Sequence, residues 1–348
     1  MILNKNVKSL INSNYMNNFK YKGLYHQLKY IIFLVYIILI LYFYNYLYFL
    51  NHIHIAMSLN NNYVYPIMVS ITSILLNSNK TTYIHFHILI GQDVERKNII
   101  KIKSLKKFHI NSNFIYYNVG KYFKGWKHGK KKLTVASFYR MILGQIIKNL
   151  KKIIYLDGDT LTYNDLNEMY NLNITNLYFK GVREIVPNFC EKTINTSKYI
   201  CAGVMLMNLE LMRKENVFDK FKDYYLKYYK KRIYYGDQHI INHLFIDKIG
   251  YLPPKFGMWF IDSKDIENYK NLTPLIYTEN ELIESINKPI IRHIWGKTKE
   301  GNLPDKPWLI SNYSKIKEEW NYYAKKTGYY SYICKSFKNA CININLKK

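Results

Sequence analysis

Acidic residues are scarce in this chain. Asp plus Glu number 24 against 51 Lys plus Arg, a formal charge of +27 over 348 residues. Such an excess favours anionic partners: phosphate-bearing substrates, nucleic acid or an anionic membrane face. Cysteine is scarcer still, at four, which excludes a disulfide scaffold as the source of stability. Gly (15) and Pro (8) are few, whereas Tyr (36), Lys, Asn and Ile abound. The abundant types share AT-rich codons, so their number carries no functional signal. Apolar residues make up 49%, enough for a packed core, and this excludes wholesale disorder. The length allows two domains or one large α/β unit. No internal repeat or low-complexity linker interrupts residues 51–310.

The first 50 residues contain no Asp or Glu. Lys5, Lys8, Lys20, Lys22 and Lys29 precede an apolar run at 30–50, broken only by Asn45 and by tyrosine hydroxyls. About 21 residues at ~1.5 Å each cross a hydrocarbon core of ~30 Å. Tyr42, Tyr44, Tyr46 and Tyr48 crowd its C-terminal half, as in an interfacial belt. No Lys or Arg follows until Lys80. The positive-inside rule therefore predicts a cytosolic basic tail at 1–29, a transmembrane signal anchor at 30–50, and the rest across the membrane. A cleaved signal peptide fits less well, because the run exceeds a usual h-region and no small-x-small site follows.

Beyond the span, strand and helix patterns alternate. Residues 53–59, 83–90, 113–118, 152–156, 178–182 and 201–208 read as strands. Residues 63–76, 97–107, 134–148, a segment starting at 236 and running to 244, and 315–326 read as helices. This is the pattern of a mostly parallel α/β sheet. Residues 121–132 form a basic, Gly-punctuated loop, either simply solvated or meeting an anionic acceptor or lipid head groups. Cys334 and Cys341 are placed to pair in an oxidising compartment or to stay free.

Three constellations carry chemistry. Asp157-Gly158-Asp159 ends an apolar strand pattern, where two carboxylates can face one crevice and hold Mn²⁺ or Mg²⁺ with a diphosphate. Asp-Gly alone is also a common turn. His293 closes a short apolar run, with Gly296 following and Lys306-Pro307-Trp308 further on. A neutral imidazole is a fitting third ligand beside two carboxylates. Gly236-Asp237-Gln238 opens a helix, where Asp237 is an N-cap or an acceptor for sugar hydroxyls.

Together these stretches resemble glycosyltransferase family 8, retaining enzymes of the GT-A fold. The resemblance runs from about residue 53 to 308 through NNNYVYP, SFYRMILGQIIKNLKKIIYLDGDTL, YICAGVMLMN, GDQ and HIWG…KPW, in the family's order. It implies a GT-A, Rossmann-like nucleotide-diphospho-sugar transferase domain at 51–310, followed by a helical, basic tail at 311–348. It further implies a UDP-sugar donor, Mn²⁺ or Mg²⁺, and a glycan, lipid or protein hydroxyl as acceptor. Asp157, Asp159 and His293 would bind the metal. Asn60, Asn62 and Tyr63 would meet the nucleotide, Gly158 would lie beside it, and Arg140 would approach donor sugar or phosphate. Ala202 and Gly203 would line the sugar, Asp237 would hold its hydroxyls, and Gln238 would sit near the reacting face of the anomeric carbon. Gly296 and Lys306 would contact the diphosphate, with Lys297 or Lys299 as alternatives, and Glu184 would face the sugar.

Three departures from the family stand out: Asn60 where Asp is usual, Cys201 where Asn is usual, which removes a hydrogen-bonding side chain, and a stretch from Gly296 to Lys306 longer than the family's spacer. The first two motivate the alternative of a membrane-anchored binding protein with the same fold and no turnover. The implied compartment is a Golgi or ER lumen, which five N-x-S/T sequons permit (Asn79, Asn173, Asn195, Asn271 and Asn312). A nucleic-acid partner is not expected, because no recognisable motif accompanies the charge.

Overall fold

The computed structural model describes residues 19–48, 50–127, 134–184, 198–228, 236–260, 262–272, 276–294, 306–309, 314–337 and 339–341. The chain forms two units, Met1–Leu50 and Asn51–Lys348. The first holds a helix, Phe19–Tyr48. Its stretch Tyr25–Tyr42 is long and apolar enough to cross a membrane. Large apolar side chains from Leu28 to Tyr42 are exposed, as in a helix that is apolar all round.

The second unit is a mixed α/β domain. Seven strands form the main sheet: β1 (Asn51–Leu59), β2 (Thr82–Ile90), β3 (Ser112–Asn118), β4 (Lys152–Leu156), β6 (Phe179–Arg183), β7 (Ile200–Asn208) and β8 (Ile249–Tyr251). Their order is β3-β2-β1-β4-β7-β6-β8. The pairs β1/β2, β2/β3, β1/β4 and β6/β8 are parallel, and β7 runs antiparallel to both β4 and β6. The expected parallel sheet is thus the N-terminal half, and the reversed β7 makes the whole sheet mixed. A second sheet joins β5 (Thr160–Thr162), β10 (Ile291–His293) and β9 (Phe256–Gly257) in the order β5-β10-β9.

The central strands are apolar on both faces because both are covered. Ile53, Ile55, Met57 and Leu59 pack on one side with Ile67, Ile71 and Ile74 of the helix Val64–Asn77. Ala56, Ile153, Tyr155, Met205 and Met207 pack on the other with Phe138, Met141 and Ile142. A third cluster seats the helix Lys315–Lys326 against the domain through Trp320, Trp308, Ile316 and Val69. Cys334 and Cys341 form a disulfide with Cα atoms 5.5 Å apart, closing this tail on itself.

One expected helix differs. Residues 134–148 form a 3₁₀ stretch, Val135–Ile142, and a single α-turn, Leu143–Ile146. Ala136 and the whole run Phe138–Ile142 are buried. The tighter winding sets residues three apart over one another. Arg140 Nε accordingly donates to the Ser137 carbonyl at 2.8 Å.

Candidate active site

The site gathers where β4 and β10 end and β7 begins. Asp157 follows β4, and its N–H donates to the Gly203 carbonyl at 2.8 Å. Two residues on, Asp159 leads into β5, which pairs with β10 so that Thr160 lies opposite His293. The Ile294 N–H donates to the Asp159 carbonyl at 2.8 Å. Residues more than 130 positions apart are thereby held in register by backbone bonds alone.

His293 Nε2 lies 3.2 Å from Asp159 Oδ1 and 3.9 Å from Asp157 Oδ2. One ligand atom from each of the three residues falls within 4.8 Å of the others. Metal–ligand bonds of about 2.1 Å place adjacent octahedral ligands ~3 Å apart, so a small closure completes the set. Two hard carboxylate oxygens and one imidazole nitrogen suit Mn²⁺ or Mg²⁺. Asp157 is 30% exposed at its side chain and Asp159 is 6% exposed, which gives the set one open side.

Arg140 organises the other wall. Its guanidinium is 3% exposed and stands between two carboxylates, 2.9 Å from Asp157 Oδ1 and 2.9 Å from Asp237 Oδ2. It also donates to the Ala202 carbonyl and lies 4.2 Å over the Tyr155 ring. The Nε proton goes to Ser137, so Asp237 Oδ2 is paired by charge and has no directed hydrogen bond among the described residues. That buried oxygen remains able to accept a hydroxyl proton. Burial would lower the Arg140 pKa, but Asp157 and Asp237 outweigh it and raise it. Burial raises the Asp157 pKa against Arg140, and burial likewise raises that of Asp237.

Lys306 enters from the C-terminal segment. Its ammonium is 2.7 Å from Asp159 Oδ2 and donates to the Tyr63 hydroxyl. Burial alone would raise the Asp159 pKa, but Lys306 and His293 together hold it below the ordinary carboxylate range. The Tyr63 ring meets Trp308 edge-on at 5.8 Å, so Tyr63 holds the segment at both Lys306 and Trp308. Three buried or half-buried carboxylates (Asp157, Asp159, Asp237) face two fixed cations (Arg140, Lys306).

A family model described as glycosyl transferase family 8 matches residues 54–309. The chain belongs to glycosyltransferase family 8. A Haemophilus influenzae protein provisionally named a glycosyltransferase is 30% identical over 225 residues, 63% of this chain and 67% of that protein. The lipopolysaccharide 1,2-glucosyltransferase of Escherichia coli is 25% identical over 297 residues, 78% of this chain and 86% of the relative. The galactosyltransferase LgtC, solved with donor and acceptor sugar analogues, superposes with a TM-score of 0.64 at 21% identity, covering 79% of this chain and 96% of LgtC. At that identity the likeness speaks for the fold, a GT-A glycosyltransferase fold.

Within this family 8 chain the structure brings together Arg140, Asp157, Asp159, Ala202, Gly203, Asp237, Gln238, His293, Lys306 and Tyr63. A Cβ at Gly203 would strike the His293 ring, and one at Gly158 would come 2.5 Å from Ile67 Cγ1 and 3.2 Å from Tyr63 Cδ1. Both glycines therefore permit close approach between elements. Gln238 Oε1 accepts from the Ala202 N–H at 2.9 Å, so its carbonyl is already engaged. Asn60 Oδ1 is buried without a hydrogen-bond partner among the described residues, and Asn62 is exposed. Glu184 is buried, with its N–H donating to the Tyr199 carbonyl at 3.0 Å. Gly296, Lys297 and Lys299 lie outside the described residues.

Sequence reading missed three supports. Tyr155 donates to Asp157 Oδ1 at 3.1 Å, and its position two before Asp157 on one strand face was a usable signal. Asn61 fastens the loop after β1 by bonds to Asp93, Glu95 and Asn98 at 2.8, 2.9 and 2.7 Å; those partners are 32 to 37 residues away and give no local pattern. Cys201, read as the loss of a hydrogen-bonding group, instead places Sγ 3.2 Å from His293 Nδ1. Burial pushes its pKa well up, so it stays a thiol beside the ring.

Proposed function

We propose that this chain is a membrane-anchored retaining hexosyltransferase that moves glucose or galactose from a UDP-sugar to a hydroxyl of a glycan, lipid or protein. The observation that carries the reading is the convergence of Asp157, Asp159 and His293 at the strand ends of a family 8 fold. A divalent metal held there would neutralise the diphosphate as it leaves. Lys306 would add a point charge for the phosphates, and Arg140 would keep Asp157 and Asp237 ionised and oriented. Asp237 Oδ2 would accept a donor hydroxyl, and Asn60 Oδ1 the uracil N–H. The acceptor oxygen would form the new bond to the anomeric carbon as the sugar–phosphate bond breaks, and its proton would pass to the leaving phosphate oxygen. Gln238 is an amide, so no carboxylate nucleophile for a double displacement stands at that position. A same-face substitution fits these groups better.

The anchor reading rests on the apolar helix and its one-sided basic flank. It places residues 51–310 as the catalytic domain in a Golgi or ER lumen, a reading the Cys334–Cys341 disulfide supports. The test is UDP release by the detergent-solubilised full chain over a panel of UDP-sugars, with and without Mn²⁺. Release from one sugar, dependent on Mn²⁺ and lost in Asp157→Ala/Asp159→Ala, is expected. UDP binding without turnover for any donor and acceptor supplied would favour a binding protein of the same fold. Folded protein that does not bind UDP at all would overturn the reading.

A further inference from the structure

Two His-x-His segments fall on neighbouring parallel strands, His52 and His54 on β1 and His85 and His87 on β2. Alternate residues share a face, so the four imidazoles form one column across the sheet. His52 Nδ1 lies 2.9 Å from His85 Nε2, and His54 Nδ1 lies 3.0 Å from His87 Nε2. Between these rungs the His54 and His85 rings stack at 4.4 Å and 11°. Tyrosines close the column: Tyr83 stacks on His52 at 5.2 Å, and the Tyr117 hydroxyl is 3.0 Å from His87 Nδ1. His52 precedes Asn60 by eight residues, about 26 Å along a strand at ~3.3 Å each. The column thus begins at the far end of β1 from the catalytic carboxylates, with His52, and reaches inward to His87, which is in register with Ala56.

Three of the rings, those of His54, His85 and His87, are held neutral. Burial, aided by the neighbouring histidines, lowers His54 to about 3 and His87 to about 4. Burial and His52 lower His85 to about 4, against a hydrogen bond from Asn113 that raises it. A neutral imidazole pair shares one N–H between two nitrogens, and a transition metal can take that proton's place. Zn–N bonds of about 2.05 Å in tetrahedral geometry set two nitrogens ~3.3 Å apart. The 2.9 Å pair needs to open by a few tenths of an ångström. Stacking on both sides already fixes the rings, so little rotamer freedom is lost on binding. His52 is exposed, which gives an entry path and room for water in the remaining positions.

We propose that His52 and His85 form a transition-metal site of imidazole donors, taking Zn²⁺, Cu²⁺ or Ni²⁺ and clamping β1 to β2. A donor set of imidazoles selects these ions over the Mn²⁺ or Mg²⁺ suited to the carboxylate site. The site is independent of the catalytic reading.

The test is Cu²⁺ titration of the full chain in detergent, purified on a tag without histidine, in an Asp157→Asn/Asp159→Asn background that disables the other ligand set. Electron paramagnetic resonance should show nitrogen ligation for one bound equivalent. Affinity should fall about tenfold or more in His52→Gln and in His85→Gln. His52 sits at the exposed start of β1, so His52→Gln decides the matter if the other variant does not fold. An unchanged titration and spectrum in folded His52→Gln would overturn the proposal, as would no binding in the unmutated pair.

Discussion

Replacing Gly203 by Ala isolates the geometry of the metal set from its chemistry, because no ligand is removed. The added Cβ would stand 2.5 Å from His293 Nε2 and 2.7 Å from Nδ1. The ring's Cε1 would be closer still, and ordinary contact needs about 3.5 Å, so the ring must retreat by well over ~1 Å. Metal–ligand bonds tolerate about 0.2 Å, so the imidazole leaves the set and two carboxylates remain. The expected loss in Mn²⁺ affinity is about 10- to 100-fold, and overpacking should cost about 1–3 kcal/mol of stability. The assay counts free Mn²⁺ by its resonance signal while the solubilised protein is titrated, with circular dichroism confirming the fold. A folded Gly203→Ala protein that binds Mn²⁺ as the unmutated chain does would refute the assignment of His293 as a ligand held in place by this glycine.

Arg140→Ala leaves Asp157 and Asp237 buried without their cation, so a loss of about 3–5 kcal/mol is expected by thermal or denaturant unfolding; Arg140→Lys should recover little, since an ammonium cannot span both carboxylates and the Ala202 carbonyl. Reducing Cys334–Cys341, or Cys334→Ser, opens a loop of seven-residue separation, worth about 2.5 kcal/mol by loop-closure entropy. Proteolysis of the tail beyond Trp308 should accelerate in the reduced protein. The histidine column gives a pH dependence with a defined sign. His54, His85 and His87 are lowered to about 3, 4 and 4, so the unfolded chain binds more protons than the folded one below about pH 6.5. Their stability contribution is complete above that pH and is lost as pH falls toward 4. The melting temperature should drop over that window, and less in His54→Gln/His85→Gln/His87→Gln.

The succession of strands and helices along the chain and the chemical type of the site were legible in the sequence, for local reasons. A run such as YIHFHILI has one workable conformation, because β-branched and aromatic residues alternate with polar ones at period two. The strand before Asp157 and the helices Gly236–Leu244 and Lys315–Lys326 are set by the same short-range patterning. The small strands Thr160–Thr162 and Phe256–Gly257 are too short to show a period, and they exist because β10 lies between them. The 3₁₀ winding around Arg140 goes with that side chain's bonds to Ser137, Asp157 and Ala202, which no window of sequence displays.

The same division holds within the site. Sequence by itself determined which residues can hold a metal, a phosphate or a sugar hydroxyl, since that is a property of side-chain chemistry. Only the tertiary structure decided that Asp159 meets His293 and Lys306, that Arg140 lies between Asp157 and Asp237, and that Cys201 backs the imidazole. It also set four histidines, unremarked as two strand patterns, into one hydrogen-bonded column. The physical reason is that contacts across 30 to 150 residues depend on how strands are ordered and which faces they share. That ordering comes from the packing of the whole core and from no segment of it alone.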